Sequence, residues 1–210
     1  VSISGPTAVC SGVNGTYTTT ASNTDGATIN YDFRVGGVSQ QSGSLNTFSY
    51  GAGGVIDCVI TLTGGTGCFT TTTATSTSIT QTVNTTPIGS NNTVAAFCTP
   101  AGLSIGLQQF ITNGVNSTFV WAAANNTNVG GETTTNTASN TINNTLTNAT
   151  NAQQTVVYTV TPTSVTGSCV GASFTVSVPV NPLPQGSLSG GTICSDGVGQ
   201  LTFTSTSGTG

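Results

Sequence analysis

The stretch IDCVITL at residues 56–62 alternates between apolar and mostly polar side chains. Every second residue, from Ile56 to Leu62, points to one side of an extended chain, which is the pattern of a strand that packs one face on a core. The same period of two runs through VVYTVT at 156–161 and FTVSVPV at 174–180. The sequence therefore predicts sheets in both halves of the chain.

The composition favours strands throughout. Only 3% of the 210 residues are charged, against roughly 25% in ordinary globular domains, and Thr, Ser, Asn, Gly and Val fill the chain in place of the usual helix formers. No apolar run approaches the roughly 20 residues that a membrane-spanning helix needs. We therefore expect an all-β protein without membrane insertion.

The same composition excludes much chemistry. The chain has no His, and its single cation is Arg34, so the commonest general base, a lysine nucleophile and a His-based metal site are all missing. A net charge of −4 is unsuited to binding phosphates. We expect no enzymatic activity, no cofactor, no metal site and no nucleic-acid partner.

An eight-residue pattern recurs at a fixed distance. VNTTPIGS at 83–90 and VNPLPQGS at 180–187 share V-N-x-x-P-x-G-S at an offset of 97 residues. A cysteine follows each copy, Cys98 and then Cys194, and Cys10 is their counterpart near the start. An aromatic strand lies 21 to 23 residues after Cys10, at 31–33, and again after Cys98, at 119–121.

A repeat of this length corresponds to one β-sandwich domain. We expect tandem Ig-like or PKD-like sandwiches in an extended rod, with repeats at 1–84 and 85–181 and the start of a third, incomplete repeat at 182–210. The third has only about two predicted strands, which do not bury a core alone. We expect the chain to continue past Gly210, and the alternative is that strands of another molecule complete this repeat.

Six cysteines in a chain without His predict disulfides and an extracellular or cell-surface location. The second repeat contains only Cys98 and Cys169, so a bond between these two is the simplest assignment. The aligned positions in the first repeat then predict a bond between Cys10 and Cys68.

A rival assignment pairs Cys10 with Cys58, because Cys58 lies on the apolar face of its strand. The partners of Cys58 and Cys194 stay open, and an odd thiol also permits a bond between molecules.

Two features are candidates for ligand binding. Trp121, the only Trp, is replaced by Phe33 in the first repeat, which favours a core position over a sugar-stacking platform. The Asn- and Thr-rich stretch 125–154 predicts a long loop or a polar sheet edge, and it is the first candidate to touch a ligand.

A calcium site is the third possibility, since Asp25, Asp32 and Asp57 all fall in the first repeat. Their spacing fits no EF-hand loop, and Asp25 in NTDG at 23–26 is typical of a turn. Asp32 and Arg34 have the same strand parity and are expected to pair, with no functional consequence.

The end of the second repeat, VPVNPLP at 178–184, is followed by GSLSGGTICSDG at 186–197 and a strand at 200–204. This region resembles the PKD-like or Ig-like repeats of very large Bacteroidota surface proteins, closely from Val180 to Thr204. The resemblance implies long tandem arrays exported by the type IX secretion system, often with a gliding-motility-associated C-terminal domain, and adhesins among the members.

The leading hypothesis is a non-enzymatic structural or adhesive segment of a stalk or filament on the cell surface. Its partners would be neighbouring repeats of the same chain or copies of itself, with surface glycans as candidate ligands. One alternative is a filament subunit completed by strands of a neighbour. Another is a carbohydrate-binding module of a secreted protein.

Overall fold

A computed structural model describes residues 1–67, 71–183, 185–190 and 201–205. The protein is all-β, as predicted: its described elements are strands and one 3-10 turn, η1 (Leu107–Phe110). No helix among these residues is long and apolar enough to cross a membrane. The chain forms two compact units, unit 1 with Val1–Thr86 and Thr166–Cys169, and unit 2 with Pro87–Val165 and Val170–Gly210.

Unit 1 contains the first group of strands in the chain. They are β1 (Ser2–Ser4), β2 (Ala8–Cys10), β3 (Gly15–Thr20), β4 (Thr28–Val35), β5 (Val38–Gly43), β6 (Thr47–Tyr50), β7 (Gly54–Thr63), β8 (Thr73–Thr75) and β9 (Ile79–Asn84). One sheet has the order β1-β3-β6, and the other has the order β2-β9-β7-β4-β5 with β8 also paired to β7. β2 runs parallel to β9, while the other pairs are antiparallel.

Both sheets of unit 1 contribute side chains to one core, as in a sandwich. Tyr17 and Phe48 come from the first sheet, and Phe33 and Ile56 from the second. The rings of Phe33 and Phe48 stack with centroids 5.4 Å apart. The alternation predicted at 56–62 is confirmed in β7, where the inward side chains from Ile56 to Ile60 are buried.

Unit 2 contains the remaining strands. They are β10 (Asn92–Thr93), β11 (Phe97–Cys98), β12 (Ala101–Gly102), β13 (Ile105–Gly106), β14 (Ser117–Ala123), β15 (Val129–Gly130), β16 (Thr137–Ala138), β17 (Thr141–Ile142), β18 (Thr145–Asn148), β19 (Gln154–Ser164), β20 (Phe174–Asn181), β21 (Gly186–Gly190) and β22 (Leu201–Ser205). The main sheet has the order β10-β20-β19-β14-β16, and β11 also pairs with β20. Both β10 and β11 run parallel to β20.

Short strands form the opposite layer of unit 2, in the orders β12-β18-β15 and β13-β17. Most of them come from the polar stretch 125–154. β16 is the predicted sheet edge, but Ile142 and Leu146 are fully buried in the core. The stretch is therefore a structural layer of the unit rather than one long loop.

β21 and β22 pair with each other in antiparallel register, from Gly186 opposite Ser205 to Gly190 opposite Leu201. They form a separate two-stranded sheet in the described part of the chain. The division into repeats at 1–84, 85–181 and 182–210 stays a prediction.

Candidate functional site

The position of Cys10 is fixed by the pairing of β2 with β9 in unit 1. β2 runs parallel to β9, and Cys10 lies opposite Asn84. The N–H of Ser11 donates to the Asn84 carbonyl at 2.8 Å, and the N–H of Thr82 donates to the Thr7 carbonyl at 2.9 Å. Backbone hydrogen bonds on both sides of Cys10 therefore hold it beside the end of β9. We call the opposed Cys10 and Asn84 a Cys–Asn pair.

The chain that leaves β9 is held at the same place. The N–H of Thr86 donates to Oγ of Ser11 at 3.1 Å, and the Ser11 and Thr86 hydroxyls lie 3.1 Å apart. The N–H of Val13 donates to the Cys10 carbonyl at 3.0 Å, which closes a tight turn after β2. The Cys–Asn pair thus lies in a region held by hydrogen bonds immediately before the proline-marked joint.

The segment Thr166–Cys169 lies between β19 and β20 in sequence but belongs to unit 1. Cys169 is fully buried and bonds to Cys10, 159 residues away, with their Cα atoms 5.6 Å apart. Gly167 and Ser168 both have positive φ, +79° and +52°. A Cβ added at Gly167 would collide with the Asn84 side chain, so the chain passes Asn84 closely only because residue 167 is glycine.

This bond corrects the sequence prediction. The predicted bond between Cys98 and Cys169 is wrong, and so is that between Cys10 and Cys68, because Cys10 and Cys169 are bonded to each other. The prediction assumed that each repeat closes its own disulfide, whereas the segment carrying Cys169 folds into unit 1. Cys68 and Cys194 lie outside the described residues.

Unit 2 contains the same Cys–Asn pair. β11 runs parallel to β20, Cys98 lies opposite Asn181, and the N–H of Thr99 donates to the Asn181 carbonyl at 3.1 Å. Cys98 therefore has the register and the neighbouring hydrogen bond of Cys10, but its thiol is free and the residue is exposed. The asparagine of each pair belongs to the repeated V-N, at 83–84 and 180–181. From the sequence alone, this motif predicted only a joint between repeats.

Cys58 is a core residue. It lies opposite Phe33 in unit 1, as Val160 lies opposite Trp121 in unit 2, and Cys58 and Val160 are both 0% exposed. Burial raises the pKa of the Cys58 thiol and keeps it protonated. The rival prediction of a bond from Cys10 to Cys58 is therefore also wrong, since Cys58 is free.

Trp121 is buried in the core of unit 2, as predicted, with 4% of its surface exposed. Its ring meets Tyr158 edge-on at 5.6 Å. The Tyr158 hydroxyl donates to Oδ1 of Asn144 at 2.8 Å, and burial raises the pKa of Tyr158. Trp121 presents no face on which a sugar ring could stack.

Asp25 and Asp32 have separate roles, and Asp57 lies in β7 opposite Arg34 of β4. The Asp25 carbonyl accepts a hydrogen bond from the N–H of Thr66 at 3.1 Å, and Asp25 itself has φ +42°, as suits a turn. Asp32 accepts a hydrogen bond from Ser39, which lowers its pKa, and pairs with Nε of Arg34 at 2.8 Å. No group of three metal-binding side chains occurs among the described residues.

Polar groups in the stretch 125–154 form hydrogen bonds with other residues of the same stretch. The N–H of Asn126 donates to both carboxylate oxygens of Glu132 at 3.1 Å. Nδ2 of Asn144, nine-tenths buried, donates to Oγ1 of Thr133 at 2.7 Å. These contacts fold the stretch onto its own unit.

The part of the chain that contains Cys98 and Asn181 matches a known domain family. Residues 95–184 match the PKD-like domain family. The match begins just before β11 and ends just after β20, so it contains the Cys98–Asn181 pair. No curated protein is detectably similar in sequence to the chain.

Among solved structures, the chain is similar to the crystal structure of mouse cadherin-23 EC22-24, with 10% identity, a TM-score of 0.35, and coverage of 85% of this chain and 63% of that one. It is also similar to the zebrafish RET cadherin-like domains 1 to 4, with 12% identity, a TM-score of 0.25, and coverage of 81% and 41%. The chain spans less than two thirds of the length of either structure.

The disulfide and the PKD-like match both indicate an extracellular protein. PKD-like domains are typically non-catalytic, which agrees with the lack of His and Lys in the chain.

Proposed function

We propose that the chain is a non-enzymatic segment of an extracellular stalk or filament, in which sandwiches repeat in tandem and serve a structural or adhesive role. The observation that carries the proposal is the repeated Cys–Asn pair. Cys10 lies opposite Asn84 and Cys98 lies opposite Asn181, each beside the last strand of its repeat. The same Cys-opposite-Asn register in both strand pairs supports the idea that one module was duplicated.

The joints support a semi-rigid connection between repeats. Proline follows both Cys–Asn pairs closely, as Pro87 and Pro182, and it restricts its own φ and the conformation of the residue before it. In unit 1 the residue before Pro87 is also held, through the hydrogen bond from Thr86 to Ser11. The resemblance of 180–204 to Bacteroidota repeats extends the proposal to type IX secretion and attachment to the cell surface.

The experiment inserts a second copy of residues 85–181 between Asn181 and Pro182 and compares the longer chain with the original by small-angle X-ray scattering. The proposal expects both to be monomers, with the maximum dimension increased by about one sandwich length. An unchanged maximum dimension would contradict a tandem stalk.

The alternative of a filament subunit completed in trans is favoured by one observation. β21 and β22 pair only with each other in the described chain, and a two-stranded sheet is marginal alone. Light scattering after size-exclusion chromatography distinguishes the two ideas, because completion in trans would produce oligomers whose size grows with concentration.

A carbohydrate-binding module is the weaker alternative. Trp121 is buried, and the contacts described for the stretch 125–154 lie within its own unit. A glycan array probed with the full chain tests this idea directly.

A further inference from the structure

We infer that Cys98 is an attachment point for the repeat that follows it, and that successive repeats are joined by disulfides of the kind seen between Cys10 and Cys169. The inference rests on the proposed tandem arrangement. Its partner is a cysteine of a further repeat in the same chain, in the segment equivalent to Thr166–Cys169.

The first argument is the equivalence of the two receiving cysteines. Cys10 and Cys98 have the same parallel register against an asparagine. The residue after each donates its N–H to that asparagine's carbonyl, at 2.8 Å from Ser11 and 3.1 Å from Thr99. A backbone arrangement that places the Cys10 sulfur for bonding therefore exists in the second repeat as well.

The second argument is the origin of the bonding partner. Cys169 is encoded in the second repeat but lies in unit 1. Each repeat would in this way supply one cysteine to the repeat before it and present another to the repeat after it. Cys98 presents an exposed, free thiol in the described chain, as the second role requires.

The third argument comes from the sequence of the first repeat. Cys68 follows the end of β7 at Thr63 by the same five residues that separate Cys169 from the end of β19 at Ser164. Thr-Gly directly precedes Cys68, at 66–67, and precedes Cys169 with one serine between, at 166–167. The spacing therefore marks Cys68 as the sequence counterpart of Cys169 rather than of Cys98, so the pattern of the first repeat does not require a bond from Cys68 to Cys10.

Bond formation requires an oxidant. The Cys98 thiol and the partner thiol together lose two protons and two electrons as the sulfur–sulfur bond forms. The electrons reduce the disulfide of a thiol oxidoreductase or of oxidised glutathione to two thiols, through a mixed disulfide with one of the cysteines.

The experiment uses the full chain and the longer chain with residues 85–181 inserted after Asn181. In the inserted copy, Cys98→Ser removes a competing thiol and Val165→Ile marks the peptide that contains Cys169, since Val165 is an exposed residue. Both chains are refolded in a glutathione redox buffer, blocked with N-ethylmaleimide, digested without reduction and mapped by mass spectrometry.

The expected result is a peptide that joins Cys98 to the marked Cys169, with loss of maleimide labelling at Cys98 in the longer chain only. The bond between Cys10 and the original Cys169 in the same digest shows that the chain has folded. Equal labelling of Cys98 in the two chains would overturn the inference, as would a bond from Cys98 to any other cysteine or to a second molecule. Absence of the Cys10–Cys169 bond would overturn its premise.

Scattering from the same samples separates the two proposals. A longer particle with Cys98 still labelled would leave the tandem stalk standing and reject its disulfide links. A particle of unchanged maximum dimension would reject the stalk itself.

Discussion

Cys10 lies opposite Asn84 of β9 in unit 1 and Cys98 lies opposite Asn181 of β20 in unit 2, yet Cys10 is bonded and Cys98 is free. The surrounding backbone does not explain the difference, because both cysteines lie opposite an asparagine in a parallel strand pair. What differs is the presence of a Thr-Gly-Ser-Cys segment in unit 1. The bonded state of Cys10 thus depends on a segment that follows β19, far from Cys10 in the sequence.

Removing the disulfide with Cys10→Ser/Cys169→Ser will lower the free energy of unfolding by about 2–5 kcal/mol, because a long closed loop restricts the unfolded chain. The bond joins residues 159 positions apart in the sequence. A loop of this length places the expected loss in the upper part of the range. Urea denaturation followed by circular dichroism measures the loss. Cys98→Ser is the matched control and should leave the urea midpoint unchanged, since Cys98 is exposed and unbonded. Equal midpoints for both variants would contradict the structure.

Gly167→Ala will destabilise unit 1 by more than backbone strain alone, because a Cβ there collides with the Asn84 side chain. Gly37 is the matched control: it has the same φ of +79°, but its Cβ would meet nothing within 4 Å. Gly37→Ala should cost about 1–2 kcal/mol, and Gly167→Ala should cost more and make the Cys10–Cys169 bond easier to reduce. Thermal unfolding and the rate of reduction by dithiothreitol check the two effects. Equal costs would show that Asn84 moves away without penalty.

The sequence predicted what depends on local pattern. Alternation at 56–62 gave a buried strand, and the replacement of Trp121 by Phe33 between repeats gave a core position, both of which the structure confirms. Alternation predicts such strands because it reports that one face of the strand is buried, and this does not depend on which strands pair with it.

The disulfide was not predictable in the same way. Spacing alone cannot show that residues 166–169 fold into the unit that precedes their own repeat, since this requires the three-dimensional path of the connection between β19 and β20. The polar stretch 125–154 was also misjudged in part. Ile142 and Leu146 are too widely spaced among Thr and Asn to give a recognisable strand pattern, although both are fully buried.

Trp121→Ala will cost about 3–5 kcal/mol, the usual range for truncating a buried aromatic side chain. Trp121→Phe will cost clearly less, because Phe33 serves at the equivalent position of unit 1, and because Nε1 of Trp121 is buried without a hydrogen-bond partner among the described residues. Circular dichroism in urea measures both. A Trp121→Phe variant that is stable but has lost a glycan interaction would instead favour the carbohydrate-binding alternative.

Cys58→Val will change the free energy of unfolding by less than about 1.5 kcal/mol, because the swap keeps an apolar side chain, adds only about one methylene group and reproduces the Val160 found at the equivalent core position. Cys58→Ser will cost about 1–3 kcal/mol, because it buries a hydroxyl where the Cys58 sulfur reaches the Val59 carbonyl only at 3.8 Å, too far for a hydroxyl hydrogen bond. Urea denaturation compares the two. A larger loss for valine than for serine would mean that the Cys58 thiol has a polar role.

The free energy of unfolding will fall in two stages as the pH rises above neutral. Burial raises the pKa of Cys58 in the folded chain, so above about pH 8.5 the unfolded chain releases a thiol proton that the folded chain keeps, and unfolding becomes more favourable. Burial also raises the pKa of Tyr17 and Tyr158, which adds a second loss above about pH 10. The free energy of unfolding, measured in urea across pH 7 to 11, should decline from the first threshold in the original chain. In Cys58→Val it should decline later, near the tyrosine range, and identical profiles for the two chains would show that the Cys58 thiol does not contribute.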